Sequence, residues 1–389
     1  MKIAIVSDTH FGYKRFYEDA FEQGKESLIK AANMSDVILC PGDIFDSRIP
    51  TLETLIKAIE IFTEVKSLNK KIYVIPGTHE RRSKELPNPI EILEKANLVI
   101  NVHNKTEVFE NNKEKISISG LGGVPEEFAR EALKQLKIQK YEDCFNIFMF
   151  HQTIQELMPI PMPEVMSLED LPKGYDLYIC GHYHKKKLIV ERKKNFRFVI
   201  PGSTVLTQLK EEEQEQKGFF VYDTKKDEFE FISIKSRPFY VINLNFDKAS
   251  NTEINDKIYQ EVEKIFGTKS TEINNEKKKS IIKIVLTGTL KNSEILNLNL
   301  KEIEEKCILE VQNLLEDEEN KKEIEELKGI KMQQGGNLIR EVFLNTLKKY
   351  PQLDSKTNWH EIFEIFSEDD EKEHEKIIDM LLKSDESKS

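Results

Sequence analysis

The chain has 389 residues, a formal net charge of −11, 33% charged residues and 39% apolar ones. It is too long for one ordinary domain and apolar enough to build a core, so two or three domains are expected and wholesale disorder is excluded. No apolar run approaches the roughly 18 residues of a membrane span, Asp8 follows the start too soon for a secretory signal, and Cys40, Cys144, Cys180 and Cys307 form no Cys-x-x-Cys pair. A cytoplasmic, reducing setting without disulfides or thiolate zinc is the expectation.

Short apolar runs alternate with helical patterns over the first 235 residues or so. The runs are Ile3–Val6, Val37–Cys40, Ile72–Ile75, Ile116–Ile118, Phe145–Phe150, Leu177–Cys180, Phe198–Ile200 and Phe219–Tyr222; helical spacing falls around 18–33, 50–68, 88–96 and 126–138. Continuous rather than alternating apolar runs suit strands covered on both faces, and strand–helix alternation means a layered α/β domain. The later runs crowd together, which predicts partly antiparallel sheets. Arg237-Pro238 reads as a boundary. A strand at 239–246, a helix at 252–266 and a strand at 280–286 predict a small α+β domain over 237–328. The Glu- and Lys-rich stretch 301–328 has the spacing of a solvated amphipathic helix. Gln333-Gln334-Gly335-Gly336 reads as a hinge before helices at 337–349, 358–366 and 371–383, which make 329–389 a helical region suited to docking a partner.

Charge is uneven. Residues 1–240 hold 35 Lys and Arg against 37 Asp and Glu, and the remainder 23 against 32. An acidic total argues against passive polyanion binding, although a local basic rim suffices for an enzyme acting on nucleic acid.

Five of the eight histidines (His10, His79, His151, His182, His184) follow an apolar run. Ligands of α/β sheets gather at the carboxyl ends of strands, so these positions form one candidate site. Asp8 and Asp43 recur in the same setting, within Asp8-Thr9-His10 and Gly42-Asp43. Asp8 and His10 share a face if the strand stays extended there, as do His182 and His184. Imidazole mixed with carboxylate, without thiolate, suits Mn²⁺, Fe²⁺ or Zn²⁺. Asp8, His10, Asp43, His151, His182 and His184 are too many for one open ion and suit two, with Asp43 as a bridge. Two ions roughly 3.5–4 Å apart activate water and clamp a phosphoryl group in an in-line displacement. Basic residues cluster near these motifs: Lys14 and Arg15; Arg81, Arg82 and Lys84; Lys185 and Lys186. Their placement suits sequence-independent phosphate contacts.

Asp-x-His, Gly-Asp, Gly-x-His-Glu, a lone strand-end His and Gly-His-x-His, in that order, resemble the calcineurin-like metallophosphoesterases over about residues 1–225. His10-Phe11-Gly12-Tyr13, Gly42-Asp43-Ile44-Phe45-Asp46, His151-Gln152, Gly181-His182-Tyr183-His184-Lys185, Pro201-Gly202-Ser203 and Lys217-Gly218-Phe219-Phe220 resemble the Mre11/SbcD nuclease branch. The resemblance implies a four-layer sandwich of mixed sheets flanked by helices, a capping domain, and Mn²⁺-dependent cleavage of DNA ends in double-strand break repair by 3′→5′ exonuclease and endonuclease action. It implies one ion on Asp8, His10, Asp43 and His184, a second on Asp43, residue 78, His151 and His182, and His79 as the catalytic histidine with Asp46 beside it favouring the acid form. It implies a nucleoid-associated homodimer, with 50–68 and 88–96 in the dimerisation places and the last helices on a Rad50/SbcC-type ATPase. One position departs: Thr78 stands where the family's Gly-Asn-His has a metal-binding Asn, and a hydroxyl is a shorter and poorer donor than an amide. Two alternatives stay open, a DNA- or partner-binding protein with weak or no catalysis and a small-molecule phosphodiesterase.

Overall fold

The structure, a computed structural model, describes residues 1–81, 87–160, 162–268, 278–291 and 296–316. The three C-terminal helices read from the sequence, and Arg82 and Lys84, lie outside the described residues.

Two six-stranded sheets form the centre. The first contains β1 (Lys2–Ile5), β2 (Val37–Cys40), β3 (Lys71–Val74), β4 (Ile100–Asn101), β11 (Gly218–Asp223) and β12 (Glu228–Ser233), in the order β12-β11-β1-β2-β3-β4. The second contains β5 (Thr106–Asn111), β6 (Glu114–Leu121), β7 (Phe145–Phe150), β8 (Leu177–Cys180), β9 (Lys187–Glu191) and β10 (Phe196–Ile200), in the order β5-β6-β7-β8-β10-β9. β1, β2 and β3 run parallel, as do β6, β7 and β8. β11 joins β1 antiparallel, with Ile3 opposite Tyr222, and β9 joins β10 antiparallel. The sheets are therefore mixed, as the crowding of the later runs predicts.

The pleat explains why the strands read as continuous apolar runs. Ile3, Ile5, Val37, Leu39, Tyr73 and Ile75 face Ile116, Ile118, Ile147, Met149, Leu177 and Ile179 between the sheets. Their alternating neighbours Ala4, Val6, Ile38, Cys40, Ile72 and Val74 face outward onto α1 (Tyr17–Met34), α2 (Leu52–Ser67) and α3 (Pro89–Lys95). On the far side Phe148, Phe150, Tyr178, Cys180 and Phe198 pack with Ala129 of α4 (Glu126–Lys134). Past an exposed first residue such as Lys2 or Lys71 these strands are buried on both faces, so exposed polar alternation is lost; each large apolar side chain contributes about 1.5–3 kcal/mol. α1 turns Phe21, Leu28, Ala31 and Ala32 inward at helical spacing. Thr51 caps α2 by accepting from Thr54 N (3.2 Å), and Asn88 caps α3 by accepting from Ile90 N (2.8 Å), with Pro89 pre-set for the first turn. The result is the four-layer sandwich expected from the sequence.

A three-stranded sheet comes next in the chain, with order β13 (Phe239–Ala249), β14 (Ile281–Leu290) and β15 (Ile308–Glu316), and with α5 (Asn251–Thr268) between its first two strands. Here one expectation is corrected. Among the described residues of the stretch that reads as one helix from 301, Lys301–Lys306 is helical and Ile308–Glu316 is a strand. Charge spacing suggested the helix, but Ile308 N bonds Ser280 O (2.8 Å) and the β-branched Ile308 and Val311 join the sheet, so tertiary pairing overrides local periodicity. The described residues divide into two compact units, one within 1–242, 261–285 and 300–312, the other within 243–260, 286–299 and 313–316. No helix among the described residues is long and apolar enough to cross a membrane.

Candidate metal centre

Parallel strands end side by side, and the turns at their carboxyl ends meet at one edge. β1, β2 and β3 lead into Asp8 and His10, Asp43, and Thr78 and His79; β7 and β8 lead into His151, and His182 and His184. The backbone is not extended there. β1 stops at Ile5, and Asp8, His10, Asp43 and His182 take left-handed conformations with φ of 51°, 45°, 48° and 78°. Asp8 and His10 therefore meet through turned backbone rather than through the pleat of one extended strand. Such conformations cost non-glycine residues of order 1–3 kcal/mol each and persist where the surroundings hold them. Gly42 (φ 102°) and Gly77 make the approach possible: a Cβ on Gly42 would lie 2.4 Å from His151 Nδ1, and one on Gly77 2.1 Å from Asp43 Oδ1.

The side chains form two clusters. In the first, Asp8 Oδ1 lies 4.0 Å from His10 Nε2 and 3.9 Å from His184 Nε2, and the two Nε2 atoms are 3.2 Å apart. His10 Nδ1 lies 3.2 Å from Asp46 Oδ1. His184 Nδ1 meets Thr207 Oγ1 and lies 3.2 Å from Glu213 Oε1. Thr207 gives its single hydroxyl proton to Glu213 (3.3 Å), so it accepts from His184. Carboxylates behind both rings thus fix the Nδ1–H tautomers and turn two Nε2 lone pairs on each other. Two lone pairs at that distance repel, and a cation between them and Asp8 removes the conflict. Glu213 in turn meets Lys217 Nζ, which also donates to Ser203 Oγ (2.9 Å); both side chains are buried. Burial lowers the Lys217 pKa against the pull of Glu213, and burial acting on Glu213 is outweighed by His184 and Lys217, which hold its carboxyl below the ordinary value.

In the second cluster Asp43, His151 and His182 offer ligand atoms within 4.8 Å of one another. His151 Nδ1 lies 2.7 Å from Pro41 O, which can only accept, while its Nε2 lies 3.0 Å from Asp43 Oδ2. Nitrogen and carboxylate oxygen then need a proton or a metal cation between them. Burial disfavours the charged ring, but Asp43 pushes the His151 pKa up to about 9. Burial would likewise raise Asp43, yet His151 drives it well below the ordinary carboxylate range. Burial, then His151, pushes His182 down to about 3. Asp43 also accepts from His79 N (2.8 Å) and Thr78 Oγ1 (3.2 Å). His182 Nε2 lies 3.2 Å from Thr153 Oγ1, whose proton goes to Glu126 Oε1 (2.6 Å). Both donor sets, imidazole with carboxylate, fit divalent metal ions.

His79 stands at the rim. Its side chain is 44% exposed, against 1% for His10, 5.0 Å away between ring centroids. His79 Nδ1 bonds the backbone oxygen of Asp46 (2.7 Å); the Asp46 carboxylate is farther (3.8 Å) and lies closer to His10.

The calcineurin-like phosphoesterase family model matches residues 1–186. Three relatives are each a DNA double-strand break repair protein Mre11. That of Sulfolobus acidocaldarius is 25% identical over 97% of this chain and 98% of its own length. That of Methanococcus maripaludis is 28% identical over 77% and 82%, and that of Sulfurisphaera tokodaii 29% identical over 78% and 77%. The chain is thus similar to the calcineurin-like phosphoesterases over residues 1–186 and to proteins named Mre11 over most of its length, which supports an Mre11-family metallophosphoesterase. It is accordingly a metal-dependent hydrolase.

The cations around the rim are largely engaged. Lys186 and Lys185 lie 3.0 and 3.7 Å from Glu215, Arg15 bonds Glu310 (2.5 Å), and Arg81 Nη2 donates to Val124 O (2.9 Å); Lys14 is exposed beside Arg15. Sequence reasoning assigned no role to several residues of the site. Glu80, fully buried, accepts from Phe45 N (2.7 Å) and Gly77 N (2.8 Å) and so ties the Asp43 loop to the His79 loop. Burial and then Asp43 push its pKa up to about 8. Its signal was its place directly after His79. Glu213 sits in an acidic run that reads as solvated surface, and Thr153, Thr207 and Glu126 carry no motif at all.

Proposed function

We propose that this protein is a Mn²⁺-dependent DNA nuclease, cutting duplex ends 3′→5′ and single strands internally, and that it processes broken DNA with a Rad50/SbcC-type ATPase. The carrying observation is the pair of imidazole–carboxylate clusters, Asp8-His10-His184 and Asp43-His151-His182, where the carboxyl ends of strands from both six-stranded sheets meet, with the exposed His79 beside them. The names of the relatives support the substrate and the repair role, and the exposed Leu52 and Ile56 of α2 with Ile92 of α3 support a homodimer.

Asp8, His10, Asp43 and His184 would hold one ion, and Asp43, Thr78, His151 and His182 the other. When bound, such ions polarise the phosphoryl oxygens and lower the pKa of water. The protein's own residues do the rest. Asp46, and Glu213 through Thr207, keep His10 and His184 in one tautomer and orientation. Glu80 fixes the two loops that carry Asp43 and His79. His79 gives its Nδ1 proton to the Asp46 carbonyl, so its Nε2 is the atom that carries a proton to the leaving oxygen. Lys14, Arg15, Arg81, Lys185 and Lys186, with Arg82 and Lys84, would meet phosphates without reading sequence.

The test is cleavage of end-labelled linear duplex DNA in Mn²⁺, with and without the ATPase partner. Asp43→Ala falls to background. His79→Ala loses about 10²- to 10⁴-fold in rate while binding Mn²⁺ and DNA as before. Normal turnover in His79→Ala refutes the acid role, and a preference for small phosphate esters over DNA refutes the nuclease reading.

A further inference from the structure

The two Gly-His-x-His imidazoles are wired alike. His184 reaches a glutamate through Thr207, and His182 reaches one through Thr153. The relays differ at their ends. Glu213 is closed off by Lys217, whereas Glu126 Oε2 is buried and has no hydrogen-bond partner among the described residues. A buried carboxylate oxygen without a donor is costly, and native structures keep such groups where something else requires them. The requirement is visible across the cluster. Thr78 offers a hydroxyl that already gives its proton to Asp43, where the family has an amide oxygen. The second cluster thus has a poorer donor at that position, and among the described residues no cation pairs with the carboxylate on the relay behind it.

We infer that Glu126 is a positioning residue that compensates for Thr78. Through Thr153 it holds His182 with Nε2–H outward and Nδ1 toward the cluster, and its unneutralised charge raises the second site's affinity for a divalent cation. Outer-shell carboxylates of this kind change metal affinity by 10- to 100-fold. The inference rests on the two-ion reading above.

The experiment is calorimetric titration of Mn²⁺ into the metal-free full-length protein, with ¹⁵N imidazole spectra of the His182 tautomer. Wild type takes up two ions per chain. Glu126→Gln keeps the amide oxygen as an acceptor for Thr153 but removes the charge, and it weakens one of the two sites 10- to 100-fold while the other is unchanged. Thr153→Val removes the relay at nearly constant volume, loses the Nε2–H signature of His182 and weakens the same site. Thr78→Asn on the Glu126→Gln background restores that site. Two wild-type affinities in Glu126→Gln, or no restoration by Thr78→Asn, overturn the inference. Uptake of one ion or none by the wild type overturns instead the two-ion reading beneath it.

Discussion

The halves of the metal centre share a plan and differ in how each is neutralised. Around Asp8, His10 and His184 every supporting acid has a partner: Asp46 faces His10, and Glu213 faces His184, Thr207 and Lys217. Around Asp43, His151 and His182 the proton on His151 faces Asp43, Arg81 adds positive charge near His182, and Glu126 Oε2 has no hydrogen-bond partner among the described residues. The acids behind the first half are neutralised before any ion arrives, although its two Nε2 lone pairs still face each other. The second is a charge deficit that an ion completes. The contrast teaches that one strand-end motif, Gly181-His182-Tyr183-His184, can serve two sites of unequal readiness, because the difference lies in the groups that stand behind each ring.

The largest effect should come from making the first half resemble the second. Lys217→Met removes the ammonium and leaves Glu213 buried with its remaining neutral donors. Breaking a buried ion pair from one side costs about 3–5 kcal/mol, far more than an exposed pair would. Urea unfolding of the metal-free protein should show that loss. A cost below about 1 kcal/mol would mean that Lys217 does not neutralise Glu213 and that the two halves do not differ as described.

A smaller effect separates the halves by pH. His151, raised to about 9 by Asp43, stabilises the metal-free fold fully below its ordinary value of 6.5, and that contribution is lost as pH rises through about 9. Metal binding displaces the same proton, so the second site tightens over the same window, by up to about tenfold per pH unit for each proton released. The gain in unfolding temperature on adding Mn²⁺ should therefore widen from pH 6.5 to pH 9. In His151→Gln the widening should flatten. A gain independent of pH would break the assignment of the proton to this pair.

The same contrast governs how much of the molecule was legible in its sequence. The eight apolar runs became strands because full burial on both faces leaves a sequence signature, and the ligand candidates were legible because each comes directly after such a run. Thr106–Asn111, Lys187–Glu191 and Glu228–Ser233 were not foreseen as strands. They lie at sheet edges, where half-exposed positions carry polar residues. Glu213 and Glu126 were invisible for another reason: their role is set by His184 and Thr153, 29 and 27 residues away in sequence, and a glutamate in an acidic run or at a helix start looks like surface. The left-handed turns at Asp8, His10 and His182 were hidden too, because sequence spacing suggested an extended strand while a crowded site selected a turn.

The smallest effect concerns the rim. On the side of the first half Lys185 and Lys186 share Glu215, two residues beyond the Glu213 that supports His184. On the side of the second, Arg81 is held by a neutral carbonyl oxygen at Val124. An incoming phosphate must therefore displace a carboxylate from the lysines but only a carbonyl from Arg81. Lys185, Lys186 and Glu215 are substantially exposed, so the competition is screened and is worth at most about 1 kcal/mol. Glu215→Gln should accordingly tighten DNA binding by no more than about fivefold, measured by fluorescence anisotropy at low salt, with Mn²⁺ affinity at both sites unchanged. Lys186→Ala should weaken binding and reduce the dependence on salt by about one phosphate contact. If Glu215→Gln also shifts the affinity of the site containing His184, then Glu213 and Glu215 act as one element, and the separation drawn between the rim and the metal support fails on that side of the molecule.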